Sequence, residues 1–415
     1  MMETPRRFEW TALAQAVMST VGAGLLAGGG LLMLTLAGVV ALWRLSSQET
    51  FIFASLGWSG LLLGGLNIPS AVRSFRRLAG QPAPDKPPAR LQRLVLVLAV
   101  LWPLFLVAGQ WASGMERSAW LLLPPLQLLV IGAPLFWLYR AGSFKLSGNP
   151  GSRQWGWVSF GLVITQPVTL LIEVALVLFG LIAGLTVFAL QPGGLDQLER
   201  LSNRLTFAMG SPDALLRIVE GFINHPLVLF AGVALTAVVI PLLEELLKPL
   251  GLWLLGGRCL TPAQGFQAGM LAGLIFALAE SLGNLANPLG DQWSLVAAGR
   301  LGTGVLHITT SGLVGWGLAS AWGERRLWRL SGAFLLAVLL HGGWNLFGVL
   351  LGLAELLDPA LAGNAVLLRL GSIAPFAMGV LMITMVFILL GANQRLRDQP
   401  PPVEQPLSQT AQTSD

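Results

Sequence analysis

Long apolar runs separated by short polar intervals recur along almost the whole chain, and this rhythm sets the first expectation. The hydrocarbon core of a bilayer takes about 20 apolar residues per helix. Ten stretches approach or exceed that length: near 17–43, 51–72, 94–112, 118–139, 157–189, 226–250, 264–287, 301–322, 330–353 and 371–392. Helices satisfy their own backbone groups in lipid, so the pattern predicts an all-α fold, a polytopic transmembrane helix bundle with about ten spans. The fifth stretch exceeds a usual span, which predicts strong tilt or an interfacial turn. The first, preceded by Arg6 and Arg7, has the flanks of a signal peptide. Its apolar run is much longer than an h-region and no clear small-residue cleavage site follows, so it reads as a retained helix.

The polar intervals fall into two alternating sets. One holds Arg6 and Arg7, the basic residues of 73–93 and of 140–153, Lys248 and Arg258, Arg325, Arg326 and Arg329, and Arg395 and Arg397. Together these are 18 of the 25 Lys and Arg residues. The other set has Arg44, Arg117, Arg200, Arg204, Arg217, Arg300 and Arg369. By the positive-inside rule both termini are cytoplasmic, and the regular alternation supports an even number of spans. The net charge of +5 is therefore a matter of topology, and no nucleic acid partner is expected.

Composition agrees. Only 11% of residues are charged and 54% are hydrophobic, whereas soluble domains carry about 25% charged residues. The single Cys259 excludes a disulfide framework, and no CxxC pair offers metal or redox chemistry. Among the 50 glycines, the pairs Gly24–Gly28, Gly60–Gly64 and Gly269–Gly273 have the spacing that lets membrane helices approach closely.

Ionisable residues are distributed unevenly. The first four spans and the tenth carry none inside their apolar runs; the fifth has Glu173, and the next four carry Glu244, Glu245 and Lys248, then Glu280, His307 and His341. A charged group at mid-bilayer costs about 2.5–3.5 kcal/mol even on lenient scales, so such groups usually face a bundle interior and serve function. Glu244 and Lys248, at i,i+4, share a helix face. Glu245 points about 100° away from Glu244, so the lysine is expected to hold one carboxylate and leave the other. Pro241 and Pro249 bracket the motif and cannot donate to the carbonyls of Ala237 and Glu245, which predicts a loosened helix able to admit water. Small neighbours of Glu280 and His341, including Gly283, Gly342 and Gly343, leave room for an adjacent helix or a substrate backbone. Glu173 is read as a structural polar contact that could also line the cavity, and His225, beside Pro226, as interfacial.

The chemistry that fits is hydrolysis. One carboxylate of Glu244 and Glu245 would act as general base towards water. His341 and Asn345, also i,i+4, would present N–H donors to a developing oxyanion, and His307 and Glu280 would orient these groups or supply a proton. No local spacing demands a cofactor. A divalent metal such as zinc remains open, with His307, His341 and either Glu244 or Glu280 as ligands. HExxH is absent, and so is a GxSxG elbow.

These residues resemble the PrsW family of intramembrane proteases, within the larger group that includes the CAAX prenyl proteases. The resemblance rests on EExxK as Glu244-Glu245-Leu246-Leu247-Lys248, FxxxE as Phe276-Ala277-Leu278-Ala279-Glu280, His307 with Ser311, and His341 with Asn345. It covers about residues 226–350. It implies cleavage of a membrane-anchored protein substrate near or inside the bilayer, in some members an anti-sigma factor. It also implies essential roles for the paired glutamates and the histidines, and a multi-pass protein of the bacterial cytoplasmic membrane. Lys248, Phe276, Ser311 and Asn345 are expected to support them.

The expected organisation is then a five-span membrane region over 1–190 and an extracytoplasmic interfacial segment over 191–224. A motif-bearing catalytic core over 225–353, a last span over 354–392 and a disordered cytoplasmic tail over 393–415 follow. In the interfacial segment Leu195, Leu198, Leu201 and Leu205 recur at helical spacing, and Ser211-Pro212 caps a second short helix. Residues 78–90, with four prolines, read as a cytoplasmic linker. Two other functions fit the same pattern: a proton-coupled transporter, whose relays also use membrane carboxylates and histidines, and a non-catalytic membrane scaffold. A transporter built from repeats would show paired broken helices in both halves, and the N-terminal half has almost no polar residues in its spans.

Overall fold

The structure, a computed structural model, describes residues 9–43, 45–81, 89–115, 118–208, 214, 218, 226–255, 260–287, 290–356 and 365–397. His225, the Ser211-Pro212 cap, the prolines of the linker and the tail beyond Arg397 lie outside these residues. All regular structure among the described residues is helical. The first half comprises α1 (Trp10–Leu42), α2 (Ser47–Gly65), α3 (Ile68–Leu78), α4 (Ala89–Val100), α5 (Trp102–Ser113), α6 (Ala119–Gly142), α7 (Gly151–Ala189) and α8 (Gly194–Ala208). The second comprises α9 (Leu227–Leu247), α10 (Leu250–Leu255), α11 (Pro262–Asn284), α12 (Trp293–Gly323), α13 (Leu327–Leu356) and α14 (Ala365–Arg397).

Each of the ten expected spans falls on helix. Eight helical rods are long and apolar enough to cross a membrane, and α4 with α5 makes a ninth if the pair, bent by 59°, is one span. The bend falls at Leu101, just before Pro103, whose missing N–H interrupts the ladder. The one expected span left, 301–322, lies in α12, whose 31 residues are long enough to cross but less apolar than the others. Most of α12 is buried between other helices, so protein rather than lipid surrounds it and apolarity is not demanded of it.

Proline also shapes the fifth span. The 39 residues of α7 continue through a single π turn, Gly161–Thr165, where the Gln166 N–H reaches back to the Gly161 carbonyl just ahead of Pro167. The extra length is thus taken up within one helix, without an interfacial turn. In α9 the same device recurs at Leu235–Val239: the Ile240 N–H bonds the Leu235 carbonyl, and Pro241 follows. A π turn leaves a carbonyl without its backbone donor and widens the helix locally.

The centre is the pair α11 and α12. Gly265, Gly269 and Gly273 lie along one face of α11 against the backbone of Gly315, Ser311 and His307, so close that a Cβ on Gly269 or Gly273 would run into a carbonyl oxygen. Helices α13, α6 and α14 pack around this pair. Of the other glycine spacings, Gly60 and Gly64 do receive α1, at Gly30 and Ala27, whereas Gly24 and Gly28 meet nothing. Neutral hydrogen bonds fasten the outer helices: the Gln15 amide donates to Ser70 Oγ (3.0 Å) and to the Ser152 carbonyl (3.1 Å), and the Asn149 N–H donates to Gln267 Oε1 (3.0 Å). The leucine periodicity after residue 191 is realised as α8, with Leu195 exposed.

Candidate active site

The site begins where α9 loses its regular ladder. Ile240 spends its N–H on Leu235 and Pro241 has none to give, so the Thr236 carbonyl lacks a helical donor. The Asn345 side-chain amide of α13 donates to it at 3.0 Å. Gly342, one helical turn earlier, brings α13 against the Ala237 carbonyl, where a Cβ would collide. Asn345 thus spends an amide N–H on closing the loosened turn.

One turn beyond the π segment, Glu244 and Glu245 enter the interior, and α9 ends at Lys248 before Pro249. Lys248 is fully buried and reaches both carboxylates: Nζ lies 2.8 Å from Glu245 Oε1 and 2.9 Å from Glu244 Oε2. The expectation that this lysine would hold only one carboxylate is corrected here. At 3.6 residues per turn, positions i−4 and i−3 lie about 40° and 60° on opposite sides of the lysine's own direction, so one flexible ammonium bridges both. The same Nζ donates to His307 Nδ1 at 2.7 Å and sits over the Phe276 ring, 4.7 Å from its centroid.

The two histidines are oriented in turn. An ammonium can only donate, so His307 Nδ1 accepts and its Nε2–H donates to Glu280 Oε2, 2.8 Å away. His341 Nδ1 lies 2.8 Å from Glu245 Oε1 and donates to it, which turns the His341 Nε2 lone pair towards Glu244 Oε2 at 3.8 Å. The imidazoles meet edge to face at 5.2 Å, and Phe276 packs edge-on against His307 at 5.1 Å.

The adjacent carboxylates differ sharply. Glu245 is fully buried, and its Oε1 collects Lys248, His341 and the Thr310 hydroxyl, the last at 3.1 Å. Glu244 Oε2 is buried as well, and beyond its ion pair with Lys248 it receives no directed hydrogen bond, as is also true of the other oxygen of Glu245, Oε2; the difference is that Glu244 has no oxygen tied as Glu245 Oε1 is. Glu280 is one-third open and is held from the side by Arg300, whose Nη2 is 2.8 Å from Glu280 Oε2 and whose Nε donates to Ser281 Oγ at 3.1 Å. Glu173 of α7 brings a further carboxyl into side-chain contact with that of Glu244.

Glu244, Glu245, Lys248, Phe276, Glu280, His307 and His341 are thus gathered from four helices into one cluster. Ser311 forms no hydrogen bond to it: its buried hydroxyl has no hydrogen-bond partner among the described residues, and its carbonyl packs on Gly269. Glu173, read from the sequence as a structural polar contact that could also line the cavity, stands beside Glu244. Two contributors escape the sequence reading. Thr310 carries no signal. Arg300 was counted with the outer loop charges, although it lies seven residues before His307, two turns back on the same face of α12.

The cluster also suits a metal ion. Glu244, His307 and His341 each offer a donor atom within 4.8 Å of the others. Ligands around zinc at about 2.0–2.2 Å stand roughly 3.4 Å apart, so slight closure would suffice, and the buried Glu244 Oε2 is short of a partner. Glu280 is bound to the far ring nitrogen of His307, and Glu245 to that of His341. Those are the places of the carboxylates that orient metal-binding imidazoles. Of the two carboxylates left open as third ligand, the geometry favours Glu244.

The fold and this cluster define an integral, multi-pass membrane protein with a buried carboxylate–imidazole centre of the kind that hydrolytic metalloenzymes use. Residues 173–392, more than half of the chain, match the PrsW family intramembrane metalloproteases, and the chain belongs to that family. It is accordingly a membrane-embedded peptidase, a hydrolase. The match begins at Glu173 and so takes in α7 and α14 as well as the motif-bearing helices. Neither the curated proteins nor the solved structures gave a match.

Proposed function

We propose that this protein hydrolyses a peptide bond of a membrane-anchored protein, near or inside the bilayer, using water activated by Glu244. The observation that carries this reading is the unequal commitment of the two glutamates. Glu245 is anchored through Oε1 by Lys248, His341 and Thr310 and positions them, although its Oε2, like Glu244 Oε2, is buried without a hydrogen-bond partner among the described residues. Glu244 has a buried oxygen without a directed hydrogen bond and is the carboxylate free to take a proton.

Glu244, His307 and His341 would hold a divalent ion such as zinc, which supplies Lewis-acid polarisation and a more acidic bound water; Glu244 would then serve the ion with one carboxylate oxygen and take the proton with the other. Around that place Glu280 fixes the tautomer of His307, and Arg300 fixes Glu280. His341 keeps its Nε2 towards Glu244 because Nδ1 is spent on Glu245. Lys248 contacts two of the same donor atoms, His307 Nδ1 and Glu244 Oε2, so its ammonium holds the ligands together and would withdraw towards Glu245 as an ion entered. The motif-bearing region 225–353 is the proposed catalytic core, with 1–190 as its support. The bacterial cytoplasmic membrane is the proposed location.

The test is reconstitution in liposomes with candidate single-span protein substrates. Glu244→Gln and His341→Ala are compared with the parent protein, with and without a chelator. Cleavage that persists in both variants would sink the assignment of the site. Proton-linked solute flux with no cleavage of any substrate would replace it with a transporter. Activity removed by chelator and restored by zinc is the result expected for the metal.

A further inference from the structure

The Lys248 ammonium has three N–H groups and no acceptor. It spends them on Glu245 Oε1 at 2.8 Å, Glu244 Oε2 at 2.9 Å and His307 Nδ1 at 2.7 Å. His307 can offer a metal only that ring nitrogen, because its Nε2–H is held by Glu280. An ammonium and a divalent ion cannot share such atoms: both are cations, and like charges repel strongly in a buried site. An ion bound by His307 and Glu244 would therefore strip the fully buried lysine of acceptors. One acceptor is at hand. Glu245 Oε2 is buried, has no hydrogen-bond partner among the described residues, and belongs to the carboxylate whose Oε1 already holds the ammonium. Glu245 is also held independently of the lysine, by His341 Nδ1 at 2.8 Å and the Thr310 hydroxyl at 3.1 Å.

We infer that Glu245 Oε2 is the seat to which the Lys248 ammonium moves when a metal ion binds, so that the lysine is an exchangeable cation of the site. The inference rests on the reading of Glu244, His307 and His341 as metal ligands. The swing is short, since both oxygens belong to one carboxylate, and the flexible four-carbon stem of a lysine allows it without displacing α9. In its first position the ammonium gives Glu244 a counter-charge and joins α9 to His307 of α12. In its second, Glu245 still pairs it while the ion compensates Glu244. Neither position leaves a buried charge unpaired, which is the arrangement that costs most. Lys248 thus lowers metal affinity, because it must be displaced, and Glu245 raises it, by receiving the displaced ammonium. The second glutamate of the pair has a role distinct from that of the first. A lysine fixed on all three partners would instead exclude the ion.

The test measures zinc affinity of the full-length protein in detergent, by titration against a chelator of known affinity. Lys248→Met is expected to bind zinc about tenfold more tightly, and zinc should raise its unfolding temperature by more than it raises that of the parent. Glu245→Gln keeps an acceptor for His341 and Thr310 but offers the ammonium a neutral seat; its zinc affinity is expected to fall about 10–100-fold. Introduced into Lys248→Met, the same Gln substitution should cost no more than about threefold, since no ammonium remains to be received. An equal cost in both backgrounds would mean that Glu245 acts only by orienting His341, and overturns the inference. So does unchanged or weaker binding by folded Lys248→Met. A parent protein that binds no zinc removes the metal reading as well, whereas the other failures leave that reading standing. Should Lys248→Met not fold even with zinc, nitrogen-15 NMR of the lysine side chains in the parent decides. Of the three lysines in the chain, Lys248 is buried; its Nζ signal is expected to shift on zinc binding, and a signal that zinc leaves unmoved overturns the inference.

Discussion

Helices α1 to α3 and helices α9 to α13 both carry polar side chains into the bilayer, but of different kinds and to different ends. In the first group the inward groups are neutral: Gln15, Ser19 and Ser70 bond one another and nearby carbonyls, with Ser19 Oγ 2.7 Å from Ser70 Oγ. Gln15 and Ser19 both converge on Ser70 Oγ, but none of these groups is charged or titrates near neutral pH. In the second group the inward groups are charged or titratable, and they share atoms: Glu245 Oε1 serves three donors, and Lys248 reaches three acceptors. Neutral hydrogen bonds in membranes contribute about 0.6 kcal/mol on average, enough to fasten helices. Buried charges cost several kcal/mol each and persist only where paired, which makes the second cluster a poor fastener and a good reaction site.

That contrast can be broken most sharply at Glu244. Glu244→Gln keeps size and shape, and proteolysis is expected to fall by about 10²–10⁴ while helical content and unfolding temperature stay near those of the parent. A fully active variant would remove the distinction between fastening and reacting groups. A smaller effect is expected from Arg300→Gln. Among the described residues it bonds Glu280 and Ser281, and loss of an orienting partner costs about 10–100-fold in activity or metal affinity. Isothermal titration with zinc, together with a partial rescue by Arg300→Lys, would separate this role from mere packing.

The same comparison applies to the glycines. Gly273→Leu would press on the His307 carbonyl at the centre of the α11–α12 contact. It is expected to destabilise the protein by about 1–3 kcal/mol or more, read as thermal unfolding in detergent, and to lower activity by displacing His307. Gly24→Leu points into open space and should change neither, so equal effects at the two positions would refute the packing described for α11 and α12. A smaller effect than that of Gly273→Leu is expected from Gln15→Leu: about 1 kcal/mol of stability or less, with the rate of proteolysis unchanged. A large loss of activity there would show that the N-terminal helices take part in the chemistry.

The sequence by itself determined the helical class and the run of spans, and it points to their orientation and to the helices that bring ionisable residues together. Each of these depends on one helix at a time: apolar length against bilayer thickness, lysine and arginine counts per loop, or an ionisable residue placed where burial is costly. It also located the break in α9, because a proline's missing N–H acts locally. The tertiary structure alone decided how the cluster is wired. That Lys248 spans both glutamates follows from a side-chain reach that the angle between Glu244 and Glu245 does not describe. That Asn345 closes the π turn, while Arg300 leaves the loop inventory for Glu280, depends on which helix stands opposite. Periodicity fixes the face of a helix on which a residue lies. It carries no information about the neighbour across the gap, and for buried charges that neighbour decides which group is held and which is free to react.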